Sequence, residues 1–257
     1  MMMKQNFGSS GYNTYGENQP KNDENANLAD DGGDFGQTNL TKSARIGFIR
    51  KVYMILATQL VVTAAITSAV FFSDDFRFWL LANPWILIVT GVLSMVIIYA
   101  IGCYKSVARS VPINYILLAI FTICESLLVA SICSQYDPAT VMMAAAITAA
   151  AVVGLTIYAF TTKTDFTTCG GLLFALILVL LVASIIGIFV KNRWFQLIIS
   201  VFGALLFSVY LIMDTQLLLD KHQNSLSIDD YIWAAMNLYI DIVQLFIYIL
   251  QIVGSKN

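Results

Sequence analysis

The stretch FQLIISVFGALLFSVYLIMDTQLL (195–218), followed after a polar loop by YIWAAMNLYIDIVQLFIYILQIV (231–253), decides the fold. Each run exceeds the ~20 apolar residues that a helix needs, at 1.5 Å rise, to cross the hydrocarbon layer. Working outward, five further runs have the same character: 52–72, 85–103, 113–133, 139–160 and 170–190. All are too long and too little alternating for barrel strands, and an open sheet cannot span lipid. Short breaks separate them, and Pro84, Pro112 and Pro138 stand at helix starts, where a missing N–H costs nothing. The expected fold is all-α, a polytopic membrane protein with a seven-transmembrane-helix bundle over 42–257 and a disordered acidic tail over 1–41.

Composition supports this. Hydrophobic residues are 58% and charged residues 12% of the 257, and the mean hydropathy is +0.76. A soluble globule so poor in charge would expose large apolar patches. A net charge of −2 offers no basic face to a phosphate backbone, which excludes nucleic acid as a partner. One histidine, His222, excludes a multi-histidine metal cage. Cys103, Cys124, Cys133 and Cys169 form no C-x-x-C pair and are expected to be free and buried. No resident cofactor is expected.

The first 41 residues are rich in Asn, Gly, Asp and Ser, with Lys4 and Lys21 against Glu17, Asp23, Glu24, Asp30, Asp31 and Asp34. Such a segment buries too little apolar surface to order itself, and it lacks the apolar core of a signal peptide. Lys42, Arg45, Arg50, Lys51, Lys105, Arg109, Lys163 and Lys221 fall on one side of an odd-numbered bundle, against Arg77, Lys191, Arg193 and Lys256 on the other. The excess places the N-terminus in the cytosol. The C-terminus then lies across the membrane, unless the last helix is re-entrant. The sequon Asn39-Leu40-Thr41 would face the cytosol. The small residues of the fourth run (Ala144, Ala145, Ala149, Ala150, Gly154 among them) predict a helix packed inside the bundle.

Three carboxylates lie within apolar runs: Glu125, Asp214 and Asp241. An ionised carboxylate at mid-membrane costs at least ~2.5–3.5 kcal/mol, and no Lys or Arg lies mid-span to offset it. These acids must be protonated, share a proton, face water or hold a cation. Asp214 is expected about 7 Å and Asp241 about 15 Å from the same membrane face, with Glu125 at about 18 Å. The sixth and seventh helices follow one another directly, so a shift of one turn would let Asp214 and Asp241 touch. Two like charges 4 Å apart repel by about 4 kcal/mol at an effective dielectric of 20. A touching pair would therefore hold one proton between two helices, or admit Ca²⁺, which favours oxygen ligands. Thr215, Gln216, Asn237 and Gln244 give the acids polar company. The alternative for each acid is a protonated carboxyl acting as interhelical polar glue.

The chain resembles the transmembrane Bax inhibitor motif family, and within it the lifeguard branch. The residues carrying the resemblance are RIGFIRKVYMILATQLVVTAA (45–65), PINYILLAIFTICESLLVA (112–130), GLTIYAFTTKTDFT (154–167), MDTQ (213–216) and DDYIWAAMNLYIDIVQLFIYILQ (229–251). The resemblance implies a seven-helix bundle with its last helix near the centre. It also implies a di-aspartyl pH sensor and gate, carried here by Asp214 and Asp241, and a pH-sensitive calcium leak across an endoplasmic reticulum or Golgi membrane. Further implications are protection against cell death and possible apoptosis-regulating membrane protein partners. Glu125 and Asn237 are then assigned to the ion path, with Ca²⁺ as permeant ion held transiently by Asp214, Asp241 and Glu125. Some relatives latch the first aspartate with an arginine on the second helix. That arginine is missing here, and Lys105 is the nearest base.

Two other classes compete with the leak. A di-aspartyl intramembrane protease would use the same shared proton, but the G-x-G-D context is absent around Asp241, which sits in Y-I-D-I. A non-conducting scaffold would regulate survival proteins through its tail and loops. The leading expectation is a non-enzymatic leak.

Overall fold

The computed structural model describes residues 31–190, 192–219 and 226–254, with the side chains of 31–42, Lys105 and Ile188 outside the description. Nine α-helices and no strand occur among the described residues: α1 (Asp31–Phe72), α2 (Asp74–Ala82), α3 (Trp85–Cys103), α4 (Lys105–Arg109), α5 (Ile113–Cys133), α6 (Pro138–Thr161), α7 (Gly170–Phe189), α8 (Arg193–Leu218) and α9 (Tyr231–Gly254). Seven segments are long and apolar enough to cross a bilayer: Ser43–Phe72, Trp85–Cys103, Ile113–Cys133, Pro138–Thr161, Phe166–Gly187, Arg193–Leu218 and Ile228–Gly254. They coincide with the seven runs read from sequence.

Local chemistry sets the helix ends. Pro138 opens α6, and the Asn192 side chain accepts the Trp194 N–H at 2.9 Å to cap α8. The short break after the first run holds a helix of its own, α2. Ser73 caps α2 by accepting the Phe76 N–H at 3.3 Å, and Asp74 and Asp75 favour its positive end.

The core centres on α9. Its Ile232, Ala235, Met236, Tyr239 and Leu250 are fully buried, and α8, α6 and α5 pack along it. Gly203 lets α8 approach α9 closely, because a Cβ there would lie 2.7 Å from the Tyr248 ring.

The chain divides into units Met1–Thr41 and Lys42–Asn257. Residues 1–30 of the expected tail lie outside the described residues, and over 31–41 the backbone is helical. Two other expectations change. The fourth apolar run is not interior: Ala145, Ala146, Ala149 and Ala150 of α6 are exposed. Lipid is as apolar as a core, so small residues there need no helix partner. All four cysteines are free, as read, but only Cys124 and Cys133 are buried; Cys103 and Cys169 sit exposed at span ends. His222 lies outside the described residues.

Candidate functional site

Asp214 lies one turn before the end of α8, and Asp241 lies well inside α9. Their side chains nevertheless meet within hydrogen-bonding reach, and they are only 8% and 4% exposed. Ahead of α9 the Leu226 N–H donates to Leu217 O at 3.0 Å, back at the end of α8. The ends of α8 and α9 are therefore not level, and counting depth from helix ends overestimates the separation of the two acids. The Asp241 Oδ2 atom is buried without a hydrogen-bond partner, and no ion pair to either acid is found among the described residues. A buried carboxylate oxygen without a donor is costly, and one proton shared between the two carboxyls supplies the missing donor. Tyr210 stands beside both acids.

The residues around Asp214 fasten its helix to two other elements. Gln216 is fully buried. Its Oε1 accepts the Phe166 N–H at 2.9 Å and its Nε2 donates to Thr164 O at 2.8 Å, tying α8 to the turn before α7. Arg45 reaches the same helix end from α1. Its Nε donates to Leu218 O at 2.7 Å, its Nη2 to Leu217 O at 3.1 Å, and its Nη1 to Leu226 O. Leu217 and Leu218 carry carbonyls that the α8 C-terminus leaves without intrahelical partners, and a guanidinium there also matches the helix dipole. Sequence reasoning placed Arg45 among the charges flanking the membrane; it is 9% exposed inside the bundle. The missed signal is periodicity. Arg45, Phe48, Val52, Leu56, Gln59 and Thr63 recur at helical spacing, and all are buried.

Glu125 stands apart from the aspartates: among the described residues no three acidic, His or Cys side chains converge. It is half-buried on α5 and faces Ser94 of α3. It lines a cavity of about 670 Å³ together with Ser200, Gln244, Tyr248, Gln251 and Arg193, at the end of the bundle where α8 begins and α9 finishes. Ser200 donates to Gln251 Oε1 at 2.8 Å across its wall. Asn237 is half-buried one turn before Asp241 and is not among the residues lining this cavity. The Lys105 side chain lies outside the described residues.

A second polar cluster links α1, α5 and α9. Thr63 Oγ1 bonds Tyr239 Oη at 2.8 Å and Ser126 Oγ at 3.0 Å, and Gln59 Nε2 donates to Thr122 Oγ1 at 3.0 Å. At the α9 entrance, Arg109 grips Asp230 with Nε–Oδ1 at 2.9 Å and Nη2–Oδ2 at 3.1 Å. These bonds hold the guanidinium above its ordinary pKa.

The fold and site define a class: a seven-span integral membrane protein with a carboxyl pair buried between its last two helices. A family model described as "Inhibitor of apoptosis-promoting Bax1" matches residues 45–257. The chain is 37% identical over 213 residues to the Golgi anti-apoptotic protein of Vaccinia virus (strain Lister), covering 83% of this chain and 87% of that one. It is 35% identical over 220 residues to Protein lifeguard 3 of Mus musculus, covering 84% and 71%. The chain belongs to the Bax inhibitor family and is of the lifeguard type.

Proposed function

We propose that this protein is a proton-regulated calcium leak of an internal membrane, endoplasmic reticulum or Golgi, that lowers stored Ca²⁺ and restrains cell death. The observation that carries the reading is the Asp214–Asp241 contact, a buried carboxyl pair joining two helices with one oxygen lacking a partner. With one proton the pair is a hydrogen-bonded clasp. Without it, two carboxylates repel by about 4 kcal/mol at 4 Å and an effective dielectric of 20. That difference biases a two-state contact between α8 and α9. The Glu125 cavity gives a hydrated cation an approach from the opposite end, with amide and hydroxyl oxygens on its walls. The relatives' names support the anti-apoptotic and Golgi parts of the reading. The excess of basic residues at the α1 start supports a cytosolic N-terminus.

The test is Ca²⁺ efflux from liposomes loaded with calcium and containing the purified chain. Wild-type efflux should change with pH, Asp214→Asn and Asp241→Asn should each blunt that change, and the double variant should abolish it. Efflux indifferent to pH and to both substitutions would refute the proposal.

A further inference from the structure

The break between the first two spans holds α2, and the joints at its two ends fix where it lies. One residue, Ser73, joins it to the end of α1, and two, Asn83 and Pro84, join it to the start of α3. Both neighbours are long and apolar enough to cross the bilayer. Two linking residues reach at most ~7 Å. Both ends of this nine-residue helix, about 14 Å long, therefore stay at the level where the spans end. The helix lies along the membrane surface and does not stand out from it.

Its two faces differ. Leu80 is buried and Phe76 half-buried, and they close a small core with Val70 of α1 and Ala130 of α5. Arg77 turns to the same side, where its Nε donates to Ser134 O at 3.0 Å, at the end of α5. Phe78, Trp79 and Leu81 are exposed, and so are Phe72 and Trp85, which flank the helix in sequence. The Trp79 ring is stacked with Phe76, centroids 6.3 Å apart, and Trp85 Nε1 donates to Asn83 Oδ1 at 3.1 Å. The exposed acids Asp74 and Asp75 are confined to the first turn. With Arg77 bonded inward, the outer face of α2 offers no cation to an anionic headgroup.

We infer that α2 is an interfacial anchor, with Phe78, Trp79 and Leu81 set into the headgroup–acyl boundary of the leaflet where α1 and α5 end. Apolar area holds such a helix in the interface, and tryptophan is favoured at that level. Lipid is the occupant because the spans on either side of α2 bring the leaflet to it; a water-borne partner would have to displace that leaflet. Through the Arg77–Ser134 bond the anchor also holds the turn between α5 and α6, whose Tyr136 lines the Glu125 cavity. The inference goes beyond the leak reading and does not depend on it.

The test uses the purified full chain in phosphatidylcholine liposomes, with Trp85, Trp194 and Trp233 replaced by phenylalanine so that Trp79 alone emits. Its emission should shift to shorter wavelength than that of free tryptophan. Lipid brominated near the headgroup should quench it more than lipid brominated near the chain ends, and aqueous acrylamide should quench it less than free tryptophan. A second arm keeps all the tryptophans and replaces Cys103 and Cys169 by serine. A charged maleimide present on both sides of the membrane should then label Asp74→Cys and fail to label Phe78→Cys, with sites mapped by mass spectrometry. If the single-tryptophan chain does not elute as wild type, the cysteine arm decides alone. Trp79 open to acrylamide and untouched by brominated lipid, Trp79 shielded from both quenchers as a second copy or a partner protein would shield it, or labelling of Phe78→Cys equal to that of Asp74→Cys would overturn the inference. No ion flux is read, so a failure of the leak reading would leave this result distinct.

Discussion

Replacing Arg45 with alanine tests how the end of α8 is held. The side chain donates to Leu218 O at 2.7 Å, to Leu217 O at 3.1 Å and to Leu226 O. A hydrogen bond from a charged donor contributes about 1.5–3 kcal/mol, but the three share one guanidinium and do not add. A buried acceptor left without a donor costs about 1–3 kcal/mol; Leu217 O keeps the Leu226 N–H, so the carbonyls of Leu218 and Leu226 are the two that lose the Arg45 donor. We therefore expect Arg45→Ala to lower stability by about 2–6 kcal/mol. At about 2–4 °C per kcal/mol for a unit of this size, the Tm in detergent should fall by about 4–24 °C. Arg45→Lys keeps the charge but loses the planar fork, so it should lose about half as much. Arg50→Ala is the control, since Arg50 is exposed one turn further along α1. Asp214 lies one turn from the α8 carbonyls that Arg45 holds, so Arg45→Ala should also raise Ca²⁺ efflux while Arg50→Ala should not. A Tm for Arg45→Ala within about 1 °C of the Arg50→Ala control would refute the reasoning.

Three other substitutions have defined outcomes. Gly203→Ala puts a Cβ 2.7 Å from the Tyr248 ring, which is itself stacked on Phe207 at 5.8 Å; it should cost about 1–3 kcal/mol by overpacking, and a Tm equal to wild type would show that the helices separate freely. Gln216→Leu removes both bonds to the turn before α7; it should cost about 1–3 kcal/mol and increase proteolysis near Thr164, read by limited digestion. With Cys103 and Cys169 replaced by serine, Glu125→Cys should react with a water-soluble maleimide, because it lines a polar cavity, while the buried Cys124 and Cys133 stay unlabelled. Labelling of Glu125→Cys no faster than of Cys133 would show that water does not reach the cavity.

The spans were legible because hydrophobic length is a one-dimensional property. Asp214 and Asp241 were legible as anomalies, since an acid within an apolar run demands an explanation from composition alone. Their contact was legible as one that a shift of a turn permits and that the resemblance implies; the relative level of the two helix ends was not, because no spacing rule encodes the Leu226–Leu217 bond. Arg45 was misread for a related reason. A basic residue before an apolar run usually marks the interface, and only its register with Phe48 and Val52 reveals that it faces inward. The alanines of α6 show a reverse error. Small residues permit close helix packing, but they equally permit a gap, and the choice lies with α1, which is distant in sequence.

The two ends of the bundle are built differently, and this bears on where a leak would be controlled. At the end where α8 finishes and α9 begins, α1 is tied to α8 by Arg45, α8 to the turn before α7 by Gln216, and α4 to the start of α9 by Arg109 and Asp230. At the other end Arg77 Nε donates to Ser134 O at 3.0 Å, but the Glu125 cavity and an apolar gap between α1 and α6 hollow that half. Asp214 and Asp241 stand between the tied half and the hollow one. With the pair parted, Arg45 and Gln216 would still hold the end of α8. If the proposed leak operates, the proton on the aspartates would set the bias, and the straps would set how far α8 moves when that bias changes. Weakening a strap should therefore raise efflux at every pH, whereas Asp241→Asn should flatten its dependence on pH.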